Sequence, residues 1–118
     1  MDDAFWLRYL QAHADPRTRR LHAAGTLLAT SVAAVALLKR NPRLFGLALI
    51  CGYGPAWYSH ARIEHNKPET FSAPFRSLAG DYRMCWGLLT GTLAPELERA
   101  QSARNASLTR SKNDFSSI

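Results

Sequence analysis

The sequence predicts an all-α protein, a small integral membrane helical bundle made of an apolar helical hairpin plus a third apolar helix. Three observations predict it. Between Leu21 and Leu38 no residue carries a charge unless His22 is protonated. About 18 such residues rise roughly 27 Å as a helix, close to the hydrocarbon thickness of a bilayer. A second apolar block, Leu44 to Tyr58, follows after a turn short enough to fold the two back on each other, and the remaining large apolar residues recur at helical spacings. With 118 residues there is room for one domain. The mean hydropathy of −0.22 averages these blocks with a very polar C-terminal stretch, so it does not argue against them.

Taken in order, Asp2 or Asp3 caps a first short helix in which Phe5, Trp6, Tyr9 and Leu10 fall on one side, an amphipathic, interfacial pattern with aromatics of the kind that sit where acyl tails meet headgroups. It should stop before Pro16, and Asp15-Pro16 reads as a turn opening the next helix. That helix is expected from Pro16 to about Lys39, with small residues (Ala23, Ala24, Gly25, Ala29, Ser31, Ala33, Ala34) that allow close helix packing. Lys39 to Arg43 forms the hairpin turn. Gly52, Gly54 and Pro55 then predict a kink just before the polar segment Ser59 to Lys67. Ser72 as N-cap with Pro74 near the first turn opens a helix to about Leu89, carrying Phe75, Leu78, Tyr82, Met84, Cys85 and Leu88. Gly91 and Pro95 punctuate it, and a short polar helix is expected from Pro95 to Arg104. Residues 1–104 are thus read as one helical membrane domain and 105–118 as a disordered polar tail.

The net charge of +6 comes from clusters, of which Arg17/Arg19/Arg20 and Lys39/Arg40/Arg43 each abut an apolar block. That placement suits anionic lipid headgroups, and no basic face with interleaved aromatics points to nucleic acid. Basic residues flank both ends of the hairpin, which gives only a slight preference for cytoplasmic termini. The chain start lacks the pattern of a secretory signal, so Cys51 and Cys85 are read as buried thiols and not as a disulfide. The apolar blocks would also serve as the core of a soluble bundle or a homo-oligomer.

The residues able to carry chemistry gather near one end of the hairpin. His13 lies three residues before Pro16 and His22 six after it, so a helix corner brings the two imidazoles together. His60 and Glu64, at i and i+4 of one helix, face the same way, and imidazole with carboxylate is a common divalent-metal pair. His22 begins one apolar block and His60 ends the other, which puts both at similar depth, where ionisable groups are costly and usually functional. His65 falls on another face. Asn66, Glu69 and Asp81 complete the polar set. Asp81 needs a partner, for which Arg83, Arg62 or a metal-bound histidine are candidates. An ordinary structural role, capping or hydrogen-bonding the helix corner, is the alternative for all of them.

The string YLQAHADPRTRRLHAAGTLL, followed by GYGPAWYSHARIEHNKPETFSAPFRSLAGDYRMCWGLLTG, resembles the Fe(II)-dependent 2-hydroxy fatty acid dioxygenases, especially their short bacterial branch, over roughly Phe5 to Gly91. The resemblance rests on the two histidines flanking Pro16, on Gly25, and on the His-x-x-x-Glu-x-Asn-x-Pro run from His60 to Pro68. It implies a membrane-embedded enzyme, in a bacterium an inner-membrane one, that uses ferrous iron and O2 to oxidise a 2-hydroxy fatty acid to the chain one carbon shorter. Carried over, His13, His22 and His60 are the metal ligands. Glu64 and Asn66 match the same run, as further ligands or as groups that support the ligands, and with Asp81, singled out above, they are the candidate catalytic groups; Arg62 and Lys67 are candidate partners of the substrate carboxylate. The sequence departs from the eukaryotic pattern in having one histidine, not a pair, at position 13, and in lacking a further histidine-bearing hairpin.

Overall fold

The fold is known from a computed structural model that describes residues 2–117; Met1 and Ile118, the outer ends of the expected domain and tail, lie outside the described residues. All the regular structure is helical. Helix α1 (Asp3–Ala12) starts where the Asp2 carboxylate accepts the Phe5 N–H at 2.7 Å, and α2 (Pro16–Lys39) starts where Asp15 does the same for Arg17 at 2.8 Å with Pro16 next to it. Each cap satisfies a backbone donor that the first helical turn leaves without a partner. Arg40 turns the chain in the left-handed region (φ 50°), and Asn41 caps α3 (Pro42–Ser59). The starts of α1 and α2 fall where the Asx and proline signals predict them, whereas α3 begins inside the Lys39 to Arg43 segment expected as the hairpin turn.

Three features differ from the expectation. First, α3 continues through Pro55, and the helix distorts later, as one π-helical turn over His60–Glu64. Second, after a 3-10 turn (Glu69–Phe71), α4 (Pro74–Thr90) is preceded by Ala73 and not capped by Ser72, whose hydroxyl instead donates to the Glu69 carboxylate at 3.0 Å. Third, α5 (Ala94–Ser116) does not end near Arg104 and give way to a disordered tail; it runs on through residues 105–116, all of them exposed. From Glu96 to Ser116 the sequence holds neither glycine nor proline, so nothing in it stops the helix.

The molecule is elongated, 63 × 27 × 24 Å, and has two unlike halves. In the base, α1, α4 and α5 enclose a core of Phe5, Trp6, Tyr9, Leu10, Met84, Leu93 and Ala100. The other half is the antiparallel α2–α3 hairpin. Its interior is made of small groups, with Ala36, Ala48 and Ala56 buried, while Leu27, Leu28, Leu37, Leu38, Leu47, Leu49 and Ile50 face outward. A Cβ on Gly25 would sit 3.0 Å from the Cys51 carbonyl oxygen, so the helices meet there backbone to backbone. Of the expected apolar segments, Pro16–Lys39 is, among the described residues, the one helix long and apolar enough to cross a membrane; α3 carries Arg43, Pro55 and several aromatic polar groups, and α4 carries Arg76, Asp81 and Arg83. Both cysteines are free; Cys85 is buried as expected, whereas Cys51 is only partly buried.

Candidate metal centre

Where the two halves join, three helices end or begin close together. The corner between α1 and α2 is held on several sides: Arg19 donates to the carbonyls of His13 (2.9 Å) and Ala14 (2.7 Å), and the Asp15 N–H donates to the Glu64 carboxylate at 2.7 Å. His13 closes α1, with its ring stacked on Tyr9 (centroids 4.0 Å apart, planes 20° apart) and its Nδ1 donating to the Tyr9 carbonyl at 2.6 Å. His22 lies in the second turn of α2, and its Nδ1 donates to Asp81 of α4 at 3.2 Å. His60 opens the π-helical turn. That wide turn ends at His65 in the left-handed region (φ 55°) and brings Asn66 back toward His60: the Asn66 N–H donates to the His60 carbonyl at 3.0 Å, and the His60 Nδ1 donates to the Asn66 side-chain oxygen at 2.6 Å. The Asn66 amide then donates to the Ala12 carbonyl at 3.1 Å, tying the turn to α1.

The outcome is three buried imidazoles set edge to face around one point, with ring centroids 4.4, 4.6 and 5.1 Å apart and one nitrogen of each within 4.8 Å of the others. Every Nδ1 is committed as a donor to an oxygen, which fixes the tautomer and leaves each Nε2 with a lone pair. Two of these lone pairs, on His13 and His60, face each other at 3.1 Å, where neither has a proton to give. The third, on His22, is buried and finds no hydrogen-bond partner among the described residues. Three converging lone pairs without a donor are what a cation satisfies: two nitrogens each about 2.1 Å from one ion stand roughly 3 Å apart. The donor set therefore fits a metal ion, with imidazoles suited to iron or zinc and outer partners of the kind that orient metal-binding histidines.

Burial acts in the same direction. It holds the His13 pKa well below the usual imidazole value, with His22 and His60 adding to the effect, and it lowers that of His60 as well. Both rings are thus kept neutral, the form that ligates. Tyr9 is buried against Asp81, and desolvation first and the neighbouring carboxylate second push its phenol well above the usual range, so it stays a donor; its hydroxyl donates to the same Asp81 oxygen that receives His22.

Of the residues singled out from the sequence, the structure brings His13, His22, His60, Asn66 and Asp81 together. Glu64 stands apart from the imidazoles, on the Asp15 N–H, because the π-helical turn breaks the i, i+4 alignment with His60. Arg62 and Lys67 are exposed on the segment after α3, and Lys67 lies over the Phe71 ring, 5.6 Å from its centroid. Tyr9, which the sequence offers only as an interfacial aromatic, belongs to the site. Its spacing of four residues before His13 was the available signal.

A family model described as 2-hydroxy-palmitic acid dioxygenase Mpo1-like matches residues 2–93, a stretch that contains every residue of the cluster, and the chain belongs to this family. No curated protein and no solved structure matches the chain at a significant level.

Proposed function

From that membership we propose that the chain is a membrane-embedded dioxygenase acting on 2-hydroxy fatty acids, with Fe(II) held by His13, His22 and His60. The observation that carries the proposal is the convergence of three Nε2 lone pairs whose Nδ1 partners are already in place. When bound, ferrous iron supplies redox chemistry toward O2 and open positions for the carboxylate and hydroxyl of a 2-hydroxy acid. The overall change balances as the hydroxy acid plus O2 giving the acid one carbon shorter, carbon dioxide and water.

The chain's own residues prepare that site. Burial keeps the His13 and His60 imidazoles neutral, Asn66 aims His60 and Asp81 aims His22, and Glu64 fastens the corner on which His13 sits. Arg62 and Lys67, exposed on the segment after α3, are the basic groups offered to draw in the substrate carboxylate. Insertion of the α2–α3 hairpin into lipid is supported by its outward leucines and by the basic residues Lys39, Arg40 and Arg43 at its tip, and it leaves the acyl chain of the substrate in the bilayer.

The test is iron content and O2 uptake of detergent-purified protein loaded with Fe(II) anaerobically. Wild type should hold near-stoichiometric iron and consume O2 with 2-hydroxypalmitate but not with palmitate, and His13→Ala, His22→Ala and His60→Ala should each lose the iron. Iron bound through these histidines with no O2 uptake would discard the dioxygenase and leave a structural metal site. Carbonate extraction checks the hairpin: release into the soluble fraction would remove the membrane from the proposal.

A further inference from the structure

We propose that Tyr9 is a positioning residue that fixes two of the three histidines at once, His13 through its ring and His22 through Asp81, and that the missing side chain of Gly80 is what admits the ring to that place. The inference rests on the metal-site reading above, and it concerns residues that a ligand count leaves out.

Every side of the Tyr9 ring is engaged. It stacks on His13 and also on Trp6, the latter with centroids 5.5 Å apart and planes 13° apart. Trp6 is itself covered by the Arg83 guanidinium, 4.2 Å from the ring centroid. Trp6, Tyr9 and His13 therefore form a stack closed by a cation, and the His13 ring can turn only by breaking it. The edge of the Tyr9 ring meets α4: a Cβ on Gly80 would lie 2.8 Å from Cε2 and 2.9 Å from Cδ2, closer than atoms pack. No larger residue at position 80 leaves the ring where it is.

The hydroxyl provides the second arm. It donates to Asp81 Oδ1, which also receives His22 Nδ1, so one carboxylate oxygen accepts from α1 and from α2 while belonging to α4. An oxygen held by two donors cannot swing toward one without weakening the other, and with the Asp81 side chain 17% exposed, water does not readily replace either. A tyrosine serving only as core filling would need the ring alone. Here the hydroxyl holds the carboxylate oxygen that receives His22 Nδ1, and through it keeps the proton on that nitrogen and leaves the other free.

Tyr9→Phe keeps the stack and removes only the hydroxyl, so it isolates the second arm. Two readouts are needed: anaerobic Co(II) titration followed by its ligand-field bands, and the tautomers of the histidines in the metal-free protein by ¹⁵N NMR. The expected result is Co(II) binding roughly tenfold weaker in Tyr9→Phe, the loss typical of an outer partner of a metal-binding histidine. His22 should lose its uniform Nδ1–H form, while His13, held by a backbone carbonyl, keeps its own. Asp81→Asn should behave alike, and the double variant should lose less than the sum of the two, because both act on one ring. Gly80→Ala, which displaces the ring, should weaken Co(II) binding by more than Tyr9→Phe. Should Tyr9→Phe leave the His22 tautomer unchanged, whatever its affinity, the positioning role is overturned. Co(II) binding in wild type that ignores His13→Ala and His22→Ala would instead bring down the metal site, and the tautomers of the metal-free protein would still decide the role of Tyr9.

Discussion

The base and the hairpin of this molecule follow opposite packing rules. In the base, large aromatic and aliphatic side chains point inward, with Trp6 and Tyr9 fully buried, and charged residues such as Arg99 and Asp3 pair on the outside. In the hairpin the small residues point inward and the large ones outward, Leu38 being 85% exposed. Water explains the first arrangement, since burial of apolar area drives it. It does not explain the second, which suits a surrounding as apolar as the side chains that face it, where close backbone contact becomes the cohesive force. The histidines lie on the seam, so they inherit rigidity from one half and low polarity from the other.

That contrast can be broken by substitution. The largest effect is expected in the base, where Trp6→Ala should cost about 3–5 kcal/mol of unfolding free energy. Leu38→Ala, an equally drastic truncation on the outer face of the hairpin, should stay within about 0.5 kcal/mol in detergent. Denaturant unfolding of the two side by side is the measurement, and similar losses would mean that the halves do not differ. Next in size, Gly25→Val should open the hairpin at the cost of about 1–3 kcal/mol by overpacking against the Cys51 carbonyl, whereas Gly54→Ala, with nothing within 4 Å of its added Cβ, should be neutral or slightly stabilising.

The seam should respond to pH. His13 and His60 have folded-state pKa values held below the unfolded value of about 6.5, chiefly by burial. Above that value both states are neutral and the contribution is complete. As pH falls below it, the unfolded chain takes up protons that the folded chain refuses, so stability should decline from about pH 6.5 down to the depressed folded values. Thermal melts of metal-free protein between pH 8 and 5 would show it, and His13→Gln should flatten the slope. The smallest effect is expected from removing residues 105–118, whose described part makes an exposed helix; melting and Co(II) binding should both stay as in the full chain.

The fold was legible wherever a local rule decides it. Asp2 announces one helix start and Asp15-Pro16 another, and the histidine pair around Pro16 announces a corner. What escaped depends on tertiary contact. Spacing pairs His60 with Glu64, but a π-helical turn is not written in i, i+4 statistics, and it hands His60 to Asn66 and sends Glu64 to Asp15. Tyr9 looked like a membrane-interface aromatic because its partner Asp81 is 72 residues away. The length of α5 was hidden for a different reason: a polar helix without an apolar stripe reads like a tail, although its residues all favour or tolerate helix.

His13 and His60 stand immediately before and after the hairpin, and their rings touch although they lie 47 positions apart in the chain. An ion gripped by both is therefore a buckle at the foot of the α2–α3 hairpin. Such a fastening tightens with supply: at a free concentration a hundred times its dissociation constant it adds about 2.7 kcal/mol to the folded state, and a chelator takes that away. The lifetime of this protein in a cell would then track how much metal the cell can spare.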